Sequence, residues 1–314
     1  MRLRGLISLF CCTAAWLLLA QPAGAAHIVS RGAKHVQLAT DNGGRALVTY
    51  EQGGRKWHVF YSGAINARQP TRSGKQVEFK VDYSGGRGQW KHFKNTCKPY
   101  DGPELAFFLT GCKASDGTYW ALQLWPRSLP NVGYTPWTTL QKAAELRISH
   151  WSGPLAQLEA YAYWLDAGSS QGVFGRATYL GKPIYGFRTS SSGSPLDDFG
   201  RLVYLDTFGS AYGSGWRREN SFVVHNPSGM FCYAFKAYSS YPGYPHQRSA
   251  KLIGTGQKYR LTLTGPGVTP DVLVTVKGLP TFDPANPALV DLENQMTTKI
   301  HEMAREYGDS LCGR

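Results

Sequence analysis

Residues 45–61 read Arg-Ala-Leu-Val-Thr-Tyr-Glu-Gln-Gly-Gly-Arg-Lys-Trp-His-Val-Phe-Tyr. The two ends of this segment, 45–50 and 56–61, are rich in the β-branched and aromatic residues that favour strands. Gln52-Gly53-Gly54 lies between them, and glycine supplies the positive φ angles that a tight hairpin turn requires. The segment therefore predicts a β-hairpin.

The same period of two recurs through most of the chain. In the run 76–83, for example, Val77, Phe79 and Val81 alternate with Glu78 and Lys80, as in a strand with one buried face. Further strand-like runs lie at 119–125, 158–165, 173–180, 201–208, 221–225, 231–237, 258–264 and 272–277. Gly, Pro, Asn and Ser separate them. Many short strands with this spacing predict a mainly β fold, an antiparallel β-sandwich or barrel-like body.

A β-propeller is the alternative architecture. The run 41–48, Asp-Asn-Gly-Gly-Arg-Ala-Leu-Val, resembles one turn and strand of a propeller blade. Blades repeat every 40–50 residues or so, and the sequence contains no second clear copy of this run at that spacing. The sandwich is therefore the favoured interpretation.

The last thirty residues change period. Leu289, Leu292, Met296, Ile300, Met303 and Tyr307 are spaced by three or four residues, as on one face of an α-helix. Asn286 is a suitable N-cap, Pro287 suits the first helical position, and Gly308 can end the helix. A C-terminal helix over 286–308 is predicted to pack on the β body.

The N-terminus has the pattern of a secretory signal peptide. Arg2 and Arg4 precede an apolar run from Leu6 to Ala20, and small residues follow at 23–25. The apolar run is short for a membrane-spanning helix, which needs about 20 residues. We expect residues 1–25 to be removed before Ala26, which leaves a secreted or cell-envelope protein. No later run is apolar enough to predict a transmembrane span.

Removal of residues 1–25 would leave an even number of cysteines, Cys97, Cys112, Cys232 and Cys312. In an oxidising compartment this number predicts two disulfides, for which three pairings exist. We favour Cys97–Cys112 and Cys232–Cys312, because the first pair flanks one short excursion of the chain. The second pair would attach the end of the helix to the strand that begins at Met230.

Domain boundaries are weakly marked. After the signal peptide, we interpret 26–190 as one β-rich domain and 191–285 as a second β-rich region, either separate from the first or continuous with it. The boundary is placed near the Ser- and Gly-rich stretch 190–195. The helix 286–308 follows.

Two catalytic motifs with established spacing are absent from the sequence. It contains no H-E-x-x-H and no phosphate-binding glycine loop. Acidic residues of the second half are the weak catalytic candidates: Asp197, Asp198, Asp206 and Glu219. A glycosidase needs two carboxylates on either side of the bond it cleaves. A secreted hydrolase that acts on polysaccharide is therefore the alternative function.

Binding residues are easier to nominate. Trp216, Arg217 and Arg218 lie in the densest polar segment, and paired arginines bind carboxylate or phosphate groups. Tyr241 and Tyr244 lie in a Tyr- and Pro-rich loop, where rigid aromatic side chains offer contact area to sugar rings. The segment 91–98 interleaves basic and aromatic residues as nucleic-acid binders do, but no nucleic-acid-binding motif accompanies it.

Charge indicates the class of ligand. The chain carries 34 Lys and Arg residues against 21 Asp and Glu residues, a net charge of +13. A positive surface outside the cytosol attracts anionic polymers. The sequence predicts a non-catalytic binding or structural protein of the extracellular space or cell envelope, with a glycan or anionic polymer as ligand. Neither a cofactor nor a metal is expected, and nucleic acid is not the expected partner.

Overall fold

The computed structural model describes residues 27–69, 76–126, 144–165, 170–184, 203–210, 213–222, 227–234, 256–310 and 312. The expected signal peptide, 1–25, lies outside these ranges. Within them, no helix has both the length and the apolar character needed to cross a membrane.

The described residues form seventeen strands, one short 3₁₀ segment and one α-helix. In chain order the strands are β1 (His27–Arg31), β2 (Lys34–Thr40), β3 (Ala46–Gln52), β4 (Arg55–Ser62), β5 (Lys80–Asp82), β6 (Lys98–Pro99), β7 (Phe108–Lys113), β8 (Tyr119–Trp125), β9 (Glu145–Trp151), β10 (Gln157–Leu165), β11 (Ser170–Tyr179), β12 (Lys182–Pro183), β13 (Val203–Ser210), β14 (Gly213–Phe222), β15 (Met230–Ala234), β16 (Lys258–Leu263) and β17 (Val272–Lys277). The 3₁₀ segment is Gly86–His92, and the helix α1 is Pro287–Tyr307.

These strands form four antiparallel sheets. Sheet 1 has the order β1-β9-β8-β7-β6, and sheet 2 has the order β2-β3-β4-β5. Sheet 3 has the order β10-β11-β12, with β15 also paired to β11, and sheet 4 has the order β14-β13-β16-β17. The fold is therefore mainly β with antiparallel pairing, as the alternating pattern predicts.

The predicted hairpin is confirmed as β3 and β4. Gly53 and Gly54 form its two-residue turn with φ angles of 59° and 72°, which residues other than glycine adopt only with strain. The register pairs Gln52 with Arg55 and continues without a shift to Ala46 and Tyr61. Turn chemistry and side-chain alternation thus specify the same pairing.

Sheets 1 and 2 share one core. Its buried residues come from strands of both sheets and include Val48, Val59, Trp120, Leu122 and Ile148. Each successive side chain of a strand leaves the opposite face of the sheet, so alternate residues of β8 point away from this core. This packing of two sheets around one core is that of a β-sandwich.

Sheets 3 and 4 share a second core, and α1 covers the other face of sheet 3. Val173 and Ala177 of β11 belong to the core between the sheets, whereas Phe174 of the same strand packs with Ile300 and Met303 of α1. The helix prediction is confirmed. Its N-cap is Asn286, whose side chain accepts a hydrogen bond from the amide of Ala288, and Gly308 ends it at φ 66°.

Both favoured disulfides are present. Cys97–Cys112 joins the chain just before β6 to β7, and Cys232–Cys312 joins β15 to the residues that follow α1. The second bridge spans 80 positions of sequence and fixes the end of the helix to sheet 3.

Strand β15 pairs with β11, so sheet 3 contains residues from both sides of position 190. The domain boundary proposed there stays a prediction, because 185–202 lie outside the described residues.

A polar contact joins sheet 1 to the loop between β16 and β17. Gln123 of β8 donates to the backbone carbonyl of Asp271 and accepts from its amide, both at 2.9 Å. Arg147 of β9 lies 3.4 Å from the Asp271 carboxylate. Trp125 packs edge-on against Tyr204 of β13, with ring centroids 4.6 Å apart. The outer face of sheet 1 is therefore buried as well as its inner face.

The run 76–83 and strand β9 are two places where the structure differs from the sequence analysis. From 77 to 82 half-buried and exposed side chains alternate as expected, but Gln76 is half-buried, Tyr83 is exposed, and only Lys80–Asp82 pairs as a strand, at the edge of sheet 2. Strand β9 was not predicted. All seven of its residues are buried, so it shows no alternation of polar and apolar residues.

Candidate functional site

A cleft of about 620 Å³ opens at one end of sheet 2, between the β2–β3 turn and the chain that follows the 3₁₀ segment. Its lining is polar and basic with one aromatic ring: Asp41, Asn42, Gly43, Arg45, Gln89, His92, Phe93, Lys94 and Thr96. The volume lies in the range of small-molecule binding sites, about 300–1,000 Å³.

The β2–β3 turn forms one wall and is held by Asp41. One carboxylate oxygen of Asp41 accepts from the backbone amides of Gly43 and Arg45, at 2.9 and 3.0 Å. The other oxygen accepts from Nε of Arg45 at 2.8 Å. The Arg45 guanidinium also lies 5.3 Å from the centre of the Phe60 ring. The turn is therefore ordered locally, and the charge of Arg45 is compensated by Asp41.

The opposite wall begins with a left-handed turn. Gly85, Gly86, Arg87 and Gly88 have φ angles of 64°, 63°, 52° and 102°. Gly85 passes so close to β4 that a Cβ atom there would lie 3.0 Å from the carbonyl oxygen of His58. A glycine is needed for both the dihedral angle and the close approach.

This turn directs Trp90 onto β4. The Trp90 and His58 rings are stacked with centroids 3.6 Å apart and planes 7° from parallel. Burial, with a smaller contribution from the Lys56 charge, lowers the pKa of His58. Lys91 Nζ lies 5.8 Å from the Trp90 ring. The stacking of Trp90 on His58 therefore fixes the position on β4 at which the basic and aromatic segment 91–98 begins.

The far end of the same wall is tied to β2 and β7. Asn95 Oδ1 accepts from the amide of Thr40 at 3.2 Å, and the amide of Thr96 donates to the Thr40 carbonyl at 2.7 Å. The disulfide Cys97–Cys112 follows immediately. Both walls are therefore fixed by short-range bonds, so the cleft is largely formed before any ligand binds.

The described lining of the cleft has a small excess of positive charge. It holds Arg45 and Lys94 against Asp41, and Lys91 belongs to the same wall as Lys94. Within the described residues, Lys94 forms no ion pair, and its exposed ammonium group lines the cleft. Among the described residues, Asp41 supplies the one carboxylate of the lining. The field of this region attracts anions over about 10 Å at moderate ionic strength.

Among the residues nominated from the sequence, Asp206 and Trp216 lie together on sheet 4, away from this cleft. Asp206 is buried and accepts two hydrogen bonds from Arg260, at 3.2 and 3.1 Å. The same guanidinium lies 4.4 Å from the centre of the Trp216 ring, and Phe208 contacts that ring edge-on. The carboxylate and the indole ring are therefore both engaged within the fold.

The remaining nominated residues stay predictions. Arg217, Arg218 and Glu219 belong to β14, with Glu219 at the point where the register with β13 shifts, and their side chains are outside the described part. Four others lie wholly outside the described residues: Asp197, Asp198, Tyr241 and Tyr244. The described part of the chain has no cluster of three or more His, Cys, Asp and Glu residues placed to hold a metal ion.

A buried charge cluster was missed by the sequence analysis. Arg147 Nη2 donates to Glu145 at 3.0 Å and Nη1 lies 3.4 Å from Asp271, and none of the three side chains is more than 2% exposed. The guanidinium lies 4.0 Å from the centre of the Trp125 ring. Glu145 and Arg147 are two residues apart, so they share a face of β9, but no local pattern links them to Asp271.

His150 is buried beside this region and is also structural. Its Nδ1 donates to the carbonyl of Ala64 at 2.7 Å, and its Nε2 lies 2.8 Å from the hydroxyl oxygen of Thr118, which donates its proton to Asp116 at 2.7 Å. Its ring stacks on Trp120 at 3.8 Å. Burial lowers the pKa of His150 from 6.5 to about 4.

We expect this histidine to make the protein less stable in acid. The unfolded chain binds a proton at His150 below pH 6.5, whereas the folded chain binds it only near pH 4. The free energy of unfolding should therefore fall by about 2–3 kcal/mol from this group between pH 7 and pH 4.5. His150→Asn keeps an N–H donor but does not titrate, so the fall should be smaller by that amount. Urea denaturation at both pH values measures it, and equal falls in both proteins would contradict the assignment.

Comparisons of the chain with protein-family models, with curated proteins and with solved structures find no match.

Proposed function

We propose that this chain is an exported, disulfide-stabilised protein that binds an anionic polymer of the extracellular space or cell envelope without altering it chemically. The observation that carries the proposal is the fixed basic cleft between the β2–β3 turn and segment 91–96. Its walls are held by hydrogen bonds and a disulfide, and its described lining holds Arg45 and Lys94 against one carboxylate.

Export is supported by two independent features. Arg2, Arg4 and the apolar run that follows have the composition of a signal peptide. The two disulfides of the folded chain are typical of oxidising compartments, because cytosolic thiols are kept reduced. One disulfide lies beside sheets 1 and 2 and the other joins sheet 3 to the end of α1, so each pair of sheets has one covalent cross-link. Such cross-links suit a protein that must remain folded outside the cell.

Binding without catalysis is supported by the chemistry of the lining. Hydrolysis of a glycosidic bond requires two carboxylates, one of them protonated. Within the described lining there is one, Asp41, and it is held by Arg45 and two backbone amides. The described lining offers cations, amides, the imidazole of His92 and the ring of Phe93, and it lacks the second carboxylate that such a hydrolysis needs.

We expect binding to immobilised polyanions to depend on salt and on this cleft. Wild-type protein should bind beads that carry polygalacturonate or wall teichoic acid at about 50 mM NaCl and largely dissociate at about 500 mM. Reversal of two exposed charges, Lys91→Glu with Lys94→Glu, should weaken binding about tenfold or more. Bound fractions over a protein titration give the affinities.

The matched control is Lys182→Glu with Lys277→Glu, which makes the same change in net charge on sheets 3 and 4. It should weaken binding by less than about threefold, because screening limits the reach of distant charges. Equal losses of binding affinity in the two double variants would show that the cleft is not the binding site. An absence of salt-dependent binding to every polyanion would remove the proposed function.

A further inference from the structure

We propose that the cleft takes a carboxylate-bearing sugar unit of an acidic polysaccharide. This inference rests on the proposed function and narrows its ligand. It is drawn from the arrangement of one uncompensated cation, two neutral amides and one aromatic ring around the cleft.

The cations of the lining favour a carboxylate over a phosphate. Phosphate groups are commonly bound by arginine forks or by several converging amide groups. Here Nε of Arg45 donates to Asp41, and another nitrogen of the same guanidinium lies 2.8 Å from the same oxygen. The amides of Gly43 and Arg45 also donate to Asp41. The Lys94 ammonium therefore remains as a single point charge, which matches one carboxylate.

The neutral polar groups suit sugar hydroxyls. Asn42 and Gln89 line the cleft from opposite walls and are exposed. A side-chain amide both donates and accepts hydrogen bonds, as a hydroxyl group does. The hydroxyl of Thr96 donates its proton to the Thr40 carbonyl, so toward a ligand its oxygen can act only as an acceptor. A polyphosphate has hydrogen-bond acceptors only, so it could pair with the amide N–H donors and would leave the acceptor oxygens of Asn42, Gln89 and Thr96 unused.

The aromatic ring of the lining adds an apolar surface. Phe93 is half-buried and packs against Phe60, with ring centroids 5.4 Å apart. A ring held in this way offers contact area without a further loss of side-chain entropy. Sugar rings present C–H groups on their faces, so Phe93 suits a sugar and contributes little to a bare phosphate chain. The cleft volume of about 620 Å³ accommodates more than a lone ion.

The test compares two soluble polyanions by calorimetric titration: a tetramer of galacturonic acid and a linear polyphosphate of equal charge. Gln89→Ala should lower the affinity for the uronate tetramer about fivefold and leave that for polyphosphate within about twofold, because one hydrogen bond to a hydroxyl is lost. Lys94→Gln should weaken both ligands. The uronate methyl ester, which lacks the charge, should bind at least tenfold more weakly than the acid.

Lys182→Gln is the matched control, and unchanged melting temperatures show that the exposed substitutions leave the fold intact. Polyphosphate affinity equal to or above uronate affinity, or an unchanged uronate affinity in Gln89→Ala, would overturn this inference and leave the proposed function standing. Failure of the wild-type protein to bind either polyanion would overturn both.

Discussion

Replacement of Arg147 by methionine will destabilise the folded protein by about 3–5 kcal/mol. The side chain is fully buried and lies between the carboxylates of Glu145 and Asp271, at 3.0 and 3.4 Å. Its removal leaves Asp271 without this cation and leaves Glu145 with the partly exposed Arg31, 3.3 Å away, as a cationic partner. Chemical denaturation of the oxidised protein measures the free energy of unfolding directly.

Two further variants test the electrostatic reason. The triple variant Arg147→Met, Glu145→Gln, Asp271→Asn should recover most of the loss, because no buried charge is left uncompensated. Lys113→Met removes an ion pair with Asp101 that is largely exposed, and should leave the free energy of unfolding close to that of the wild type. If Arg147→Met alone stayed within about 1 kcal/mol of the wild type, the cluster would not join sheet 1 to the β16–β17 loop as described.

This cluster also explains why β9 escaped prediction. Periodicity reports burial only where polar residues face water, and β9 buries Glu145, Arg147 and His150 with partners. The partners come from distant segments, Asp271 and Ala64 among them, and no local pattern records such contacts. In β3 and β4, the glycine turn and the alternation of side chains are both local features of the sequence and together specify the pairing. The hairpin in residues 45–61 was therefore predicted correctly.

The candidate site was likewise predictable from the sequence only where its features are local. The basic and aromatic character of 91–98 is visible in the sequence, and the Cys97–Cys112 bridge was favoured from spacing alone. The opposite wall, Asp41–Arg45, lies some fifty residues earlier in the chain, and only the sheet brings it near Lys94. Trp216 was nominated as a binding residue because it lies in a dense polar segment, and this nomination stays a prediction. The packing of its half-buried ring against Arg260 and Phe208 involves residues distant in the sequence, so no local pattern indicated it.

Loss of the Cys232–Cys312 bridge is the second change with a large expected effect. In the chain-entropy model, a bridge that spans 80 positions stabilises the fold by about 4–5 kcal/mol relative to the open chain. Cys232→Ala with Cys312→Ala should therefore lower the free energy of unfolding by about that amount. Cys232 is exposed, so lost packing at that position contributes little.

The same variant should loosen the end of α1 before the rest of the protein unfolds. Without the bridge, the last turn is held by Tyr307 beneath Arg176 and by the hydrogen bond from Ser228 to Asp309 at 2.7 Å. Trypsin should then cleave after Lys299 and Arg305 under native conditions, as mass spectrometry of the fragments would show. Cys97→Ala with Cys112→Ala is the matched control, because it removes a bridge remote from the helix and should leave α1 protected. Equal protection of α1 in both variants, or a loss of stability below about 1 kcal/mol, would mean that packing against Phe174 and Met230 alone holds the helix on sheet 3.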